Sequence, residues 1–359
     1  MPNINENDFS LGNQGGSGTN FCHEIMVRIY YPTSSSVTSP VTPYYYPRVL
    51  QLQNSLNGAP GISESQIAAL PSTLWSWTLP NVSILPNAFP VILFSPGNLT
   101  PAQGYEDYIT NLVSYGYIVV GINSVFVNGY IQLPNGVIVY NNSQQSMTQS
   151  TRLQENDLEL VYNQIKSSSN NTDKIFAKMD LLHIGAYGHS DGAYSIVQVA
   201  NQNPSLFQAV ALMDEGVELD NIANYLKPIT NPVLYLVSSY IYNAQAKLDI
   251  PLQPLVKSTS YRTVITPNLL NINYSAHSNF ADDTTLQYNP VMNIYYSDIR
   301  EFGGMPVGTI NGYTMIQYAS NDYVIQFFNT FLKNQSSTVF NTKNCNPLSS
   351  NTLLQCGAQ

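Results

Sequence analysis

The sequence predicts an α/β fold, a mostly parallel sheet flanked by helices and carrying irregular insertions, on three observations. Short apolar runs without polar alternation recur at 90–95, 117–122, 181–187, 207–213 and 232–237, as strands buried on both faces read. Stretches with helical spacing separate many of these runs. Between one run and one helical stretch stands a glycine-flanked serine, Gly188-His189-Ser190-Asp191-Gly192.

In chain order, residues 1–20 read as a flexible tail. Alternation in FCHEIMVRIYYP, 21–32, predicts the first strand. The 33–89 stretch is rich in Pro, Ser, Tyr and Asn and reads as irregular decoration over one edge, with a short helix at 63–70 and an apolar cover at Leu74-Trp75-Ser76-Trp77. The strand at 90–95 runs into Pro96-Gly97-Asn98-Leu99. A helix over 105–115 closes at Gly116, before the strand at 117–122. Two alternating runs around Pro134-Asn135-Gly136 predict a hairpin within an insertion over 125–150. Leu158, Val161 and Ile165 share one face of a helix over 153–165, and Ala193, Ile196, Val197 and Ala200 share one face of the helix after the serine. Strands follow at 207–213, 232–237 and 269–274. Val324, Phe327, Phe328, Phe331 and Leu332 mark a closing amphipathic helix. Residues 21–334 thus read as one domain and 335–359 as a tail.

With 359 residues the chain can bury a large core. Charged residues are only 10%, against about 25% in an average soluble domain. The net charge of −9 argues against nucleic acid or an anionic membrane as an electrostatic partner. No run is long enough to span a bilayer. A neutral surface of Asn, Ser, Thr and 26 tyrosines leads to the expectation of a secreted or extracytoplasmic protein, although no signal peptide is visible and a cytoplasmic location stays open. Cys345 and Cys356 bracket a short loop whose closure would pin the tail, leaving Cys22 over. No cysteine or histidine pair has zinc-site spacing, so no metal and no cofactor are expected. The oligomeric state is left open.

Strand, G-x-S-x-G, helix is the nucleophile elbow of α/β-hydrolases. The turn must be so tight that the serine backbone is strained and a side chain at Gly188 or Gly192 would strike neighbouring backbone. A serine hydroxyl needs a base, and in this fold the chain order is Ser, acid, His. Of four histidines, His23 and His183 lie on strands and His189 inside the elbow; only His277 follows Ser190. The acid is Asp214, at a strand end, with Asp249 as rival and Glu215 as a solvated neighbour. The oxyanion donors expected are the backbone N–H groups of Asp191 and Asn98. All of these follow predicted strands, so they should share the sheet's C-terminal edge, where ligands bind in open α/β folds.

These residues resemble the platelet-activating factor acetylhydrolase family of the plasma, lipoprotein-associated type, over roughly 91–332. The carriers are VILFSPG at 91–97, LVSYGYIVVGIN at 112–123, Arg152 with Asp157, Gly188-His189-Ser190, the early acid Asp214, and His277-Ser278-Asn279-Phe280-Ala281-Asp282. Asp191 stands where that family has Phe, Ala193 where it has Gly, and Pro96 where it has His. The resemblance implies a metal-independent serine esterase acting on short or oxidised acyl esters, of a small molecule or of a phospholipid. Asp282-Asp283 reads as a solvated loop pair. The alternatives are a broad secreted carboxylesterase, lipase-like or polyester hydrolase, and a non-catalytic binding protein on a hydrolase scaffold.

Overall fold

The computed structural model describes residues 9–11, 23–34, 39, 42–80, 82–141, 146–168, 174–215, 229–238, 260–265, 277–282, 285–298, 300–301, 305–306, 323–337, 340 and 352–357. A nine-stranded sheet runs through them. Its strands are β1 (Phe9–Leu11), β2 (His23–Tyr30), β3 (Phe89–Ser95), β4 (Ile118–Ser124), β5 (Met179–His189), β6 (Ala209–Met213), β7 (Val233–Ser238), β8 (Ser260–Ile265) and β9 (Thr352–Gly357). The spatial order is β1-β2-β4-β3-β5-β6-β7-β8-β9. From β4 to β8 every neighbouring pair is parallel; β1, β2 and β9 run antiparallel at the edges.

Side-chain alternation along the central strands feeds two cores. Ile92, Phe94, Val119, Tyr187, Ala211 and Leu234 point to one face, under the helices α3 (Glu106–Ser114) and α7 (Ile325–Leu332). Val91, Leu93, Val120, Ala186, Val210 and Leu212 point to the other, under α4 (Met147–Ser167) and α5 (Asp191–Gln202). α4 starts six residues before the expected 153 because Ser146 and Gln149 form a capping box, each side chain bonding the other's backbone N–H. The hairpin expected around Pro134-Asn135-Gly136 is present, with Tyr130 paired to Tyr140 and Gln132 to Ile138.

The 33–89 stretch is more ordered than its composition suggested. Besides the short α2 (Glu64–Ala69), it contains α1 (Tyr46–Leu56), whose Val49, Leu52 and Leu56 pack with Tyr44, Leu70 and Leu74 into a third core. Leu286, Met292 and Tyr296, the last two from α6 (Pro290–Asp298), complete that core, so the insertion is fastened to the segment after His277.

Both expected tails also contribute to the sheet. Phe9 pairs with Ile25 and Leu11 with His23, while Ser260 pairs with Gly357 and Ile265 with Thr352. Edge strands need only free backbone partners on one side, so a polar Asn/Ser-rich context does not prevent them. Cys356 therefore lies in β9, whereas Cys22 and Cys345, and with them the expected pairing, fall outside the described residues. So does the strand expected at 269–274; the strand observed ahead of His277 is β8.

Candidate active site

The tight turn between β5 and α5 puts Ser190 at φ +54°, ψ −125°, a conformation L-residues rarely adopt. A Cβ on Gly192 would collide with the Ser95 carbonyl oxygen and stand 2.5 Å from that of Pro96; one on Gly188 would lie 2.9 Å from Ser95 O. Both glycines are therefore demanded by the approach of the β3 turn. The Ser190 N–H donates to Met213 O at 3.0 Å, tying the elbow to the end of β6.

The next residue, Asp214, also has positive φ, +43°, and its carboxylate is fully buried. Its Oδ1 accepts the Ser238 N–H at 2.6 Å and its Oδ2 meets His277 Nδ1 at 2.7 Å. A carboxylate accepts only, so Nδ1 carries the proton. The bare Nε2 then faces Ser190 Oγ at 2.8 Å. The fold thus brings together Ser190 and Asp214, from the ends of β5 and β6, and His277, from a short helical turn at 277–280, with a fifth of the imidazole side chain still exposed to solvent. Asp249 lies outside the described residues. Glu215, read as solvated, is buried.

The turn after β3 lies against the serine: a Cβ on Gly97 would be 3.2 Å from Ser190 Cβ. Its peptide groups are held almost one by one. Gln154 Nε2 donates to Pro96 O at 2.8 Å, and Asn128 Nδ2 to Gly97 O at 3.1 Å. The Gly97 N–H donates to Tyr105 Oη at 3.1 Å, the Leu99 N–H to Val127 O at 3.0 Å, and Gln51 Nε2 to Leu99 O at 2.8 Å. Leu99 itself is forced to φ +60°. Among the described residues no acceptor takes the Asn98 N–H. Asp191, the other expected donor, begins α5, with its acidic side chain buried in the first turn, where the helix dipole favours negative charge.

Two side chains absent from the expected site border it. His189, which precedes the serine in the elbow, is buried under His277 with ring centroids 4.5 Å apart. Burial, with His277 beside it, pushes its imidazole well below the usual histidine range, so it is neutral. Asp282, read as half of a solvated pair, is 1% exposed. Its Oδ2 accepts from the Glu106 N–H at 2.7 Å and Tyr44 Oη at 2.8 Å, and its Oδ1 from the Asp107 N–H at 3.2 Å. It therefore caps α3 from a distant loop, satisfying donors that every helix start leaves open. Burial, with Asp107 nearby, pushes its carboxyl up, and burial pushes the neighbouring Glu106 to about 7. The backbone donors come from residues 176 and 175 positions away. An adjacent Asp pair gives no hint of that. The neighbouring serine in the elbow was the one available signal for His189.

Among the described residues no cluster of three His, Cys, Asp or Glu side chains is placed to hold a metal ion, and no helix is long and apolar enough to cross a membrane. No family profile matches the chain, and no curated protein does. Among solved structures it is similar to a ferulic acid esterase from Streptomyces cinnamoneus, at 18% identity and a TM-score of 0.66, over 93% of this chain and 89% of that one. Strand order, crossovers and this likeness agree: the chain has the α/β-hydrolase fold.

Proposed function

We propose that the chain is a serine ester hydrolase that works through an acyl-enzyme. The observation that carries this reading is the continuous line of hydrogen bonds from Ser190 Oγ through His277 to buried Asp214, at 2.8 and 2.7 Å. His277 Nε2 accepts the hydroxyl proton as Ser190 Oγ bonds to the ester carbonyl carbon. The developing oxyanion is received by the N–H groups of Asn98 and Asp191, and the Nε2–H then protonates the departing alkoxide. Water repeats the sequence to release the acid. Asp214 holds Nδ1–H throughout and stabilises the imidazolium.

The substrate proposed is a short or oxidised acyl ester, of the kind taken by platelet-activating factor acetylhydrolases. The early acid after β6 and the HSNFAD loop support it. A second reading, a broad or aromatic-acid carboxylesterase, is favoured by the likeness to a ferulic acid esterase. The test is fluorophosphonate labelling of Ser190, followed by hydrolysis of p-nitrophenyl esters of increasing chain length, a short-acyl phospholipid and methyl ferulate. Ser190→Ala should abolish labelling and lower kcat by about 10⁶. Cleavage of the phospholipid over methyl ferulate supports the first substrate class and the reverse supports the second. An unlabelled wild type would leave a non-catalytic role for the fold.

A further inference from the structure

His189 is the second residue of the elbow, and its neighbours make a chain that crosses the site. His277 O can only accept, so His189 Nε2, 3.1 Å away, must carry the proton. A neutral ring then leaves Nδ1 bare, and Tyr105 Oη, 2.8 Å away, donates to it. The same Tyr105 oxygen accepts the Gly97 N–H. The order is thus Gly97 N–H to Tyr105 Oη–H to His189 Nδ1, then His189 Nε2–H to His277 O. One end is the turn that carries Asn98; the other is the backbone of the residue that faces Ser190. The His189 ring also lies 5.9 Å from that of Phe280 and 5.6 Å from that of Tyr105, between the loop and the turn.

We infer that His189, assisted by Tyr105, is a positioning residue: its Nε2–H holds the backbone of His277 in register with Ser190 and couples the base loop to the oxyanion turn. This rests on the serine-hydrolase reading above. A core histidine serving only as filler would need ring volume; a positioning histidine needs a donor at the ε position.

Three substitutions separate these roles. His189→Gln retains an N–H near the ε position, His189→Phe retains ring volume without either hydrogen bond, and Tyr105→Phe cuts the chain on the other side. A displacement of about 1 Å at a base costs on the order of 10²-fold in rate. We therefore expect His189→Phe to lower kcat and the rate of Ser190 phosphonylation about 30- to 100-fold with KM within about twofold. His189→Gln should recover most of that loss although it packs worse, and Tyr105→Phe should fall between. Thermal midpoints and soluble yield are read alongside. If His189→Phe fails to fold, the Tyr105→Phe rate decides, and a wild-type kcat there overturns the inference. So does a His189→Phe enzyme as fast as wild type, or a His189→Gln enzyme as slow as His189→Phe. Wild-type protein that fluorophosphonate does not label sinks the hydrolase reading and this inference together; labelled wild type with equally reactive variants sinks this inference alone.

Discussion

The turn at Pro96–Leu99 and the loop at His277–Asp282 both border Ser190, yet they are held by different means. The turn is gripped at successive peptide groups by Gln154, Asn128, Tyr105, Val127 and Gln51, so its strained Leu99 is over-determined. The loop is attached largely through side chains: His189 at its first residue, Asp214 on the imidazole, Tyr108 on Asn279 O at 3.3 Å and the Asp282 carboxyl at its end, where the Asp282 N–H also donates to Gly104 O at 2.7 Å. Distributed bonding to main chain makes a preorganised donor that tolerates the loss of one tether. A few buried side chains make a placement that depends on each of them.

The sharpest way to break the comparison is at Asp214. In Asp214→Asn the amide oxygen can keep the Ser238 N–H, which turns its NH₂ toward His277 Nδ1 and forces the proton onto Nε2, the wrong tautomer for accepting from Ser190. kcat should fall by about 10⁴ with the fold intact. A variant within tenfold of wild type would move the orienting role to another acid, Asp249 first.

Asp282→Ala tests the far end of the same loop. It deprives the Glu106 and Asp107 N–H groups of their buried acceptor, while Tyr44 Oη keeps Gln103 O, costing about 3 kcal/mol of stability. Because the loop would be released with it, kcat should drop by about 10², measured beside urea unfolding. Lost stability with unchanged kcat would show that His189 and Asp214 suffice to place the base.

What could be read from the chain divides along the same line. The elbow was legible because one motif, its flanking glycines and its strand-helix context all constrain a short window. Four histidines, with one after Ser190, made His277 a matter of arithmetic. The strand ends at Ser95 and Met213 followed from apolar runs. Gln154, Asn128, Tyr105 and Asp282 were not legible, since a side chain that bonds groups tens of residues away, backbone for three of them and the His189 ring for Tyr105, leaves no periodic trace. Asp282 beside Asp283 looked solvated for the ordinary reason that paired acids usually are. α1 has no legible signature, because Tyr46 and Pro47 open it and Gln and Asn fill its outer face, a composition that reads as loop. The edge strands β1 and β9 are made by backbone pairing, for which a polar tail carries no hydrophobic signature.

A pH experiment sharpens the picture of the Asp282 clamp, because Glu106 forms the helix start that it holds. Burial raises the Glu106 carboxyl from 4.5 to about 7. A raised carboxyl pKa means that the folded state binds the proton more tightly, so stability is greatest below the unfolded value and declines as pH rises from about 4.5 through 7. Wild type should lose about 2 to 3 kcal/mol across that window, and Glu106→Gln should be flatter by a similar amount. Urea midpoints between pH 4.5 and 8 check it; parallel curves would show that Glu106 is not the group responsible.

The smallest effect is expected at Gln51, the one tether of the turn supplied by α1. Its Nε2 holds Leu99 O and its Oε1 accepts from Arg48 Nη1 at 2.7 Å. In Gln51→Ala the Leu99 carbonyl is partly open to water, which can replace the lost donor, while the Leu99 N–H stays on Val127 O and both Gly97 groups keep their partners. The Asn98 N–H should therefore hardly move, and kcat on a p-nitrophenyl ester should fall by about threefold or less. A loss as large as that at Asp282 would mean that the turn is not over-determined: the strained Leu99 would then owe its conformation to the inserted helix, and α1 would have to be counted with the oxyanion donor instead of with the decoration.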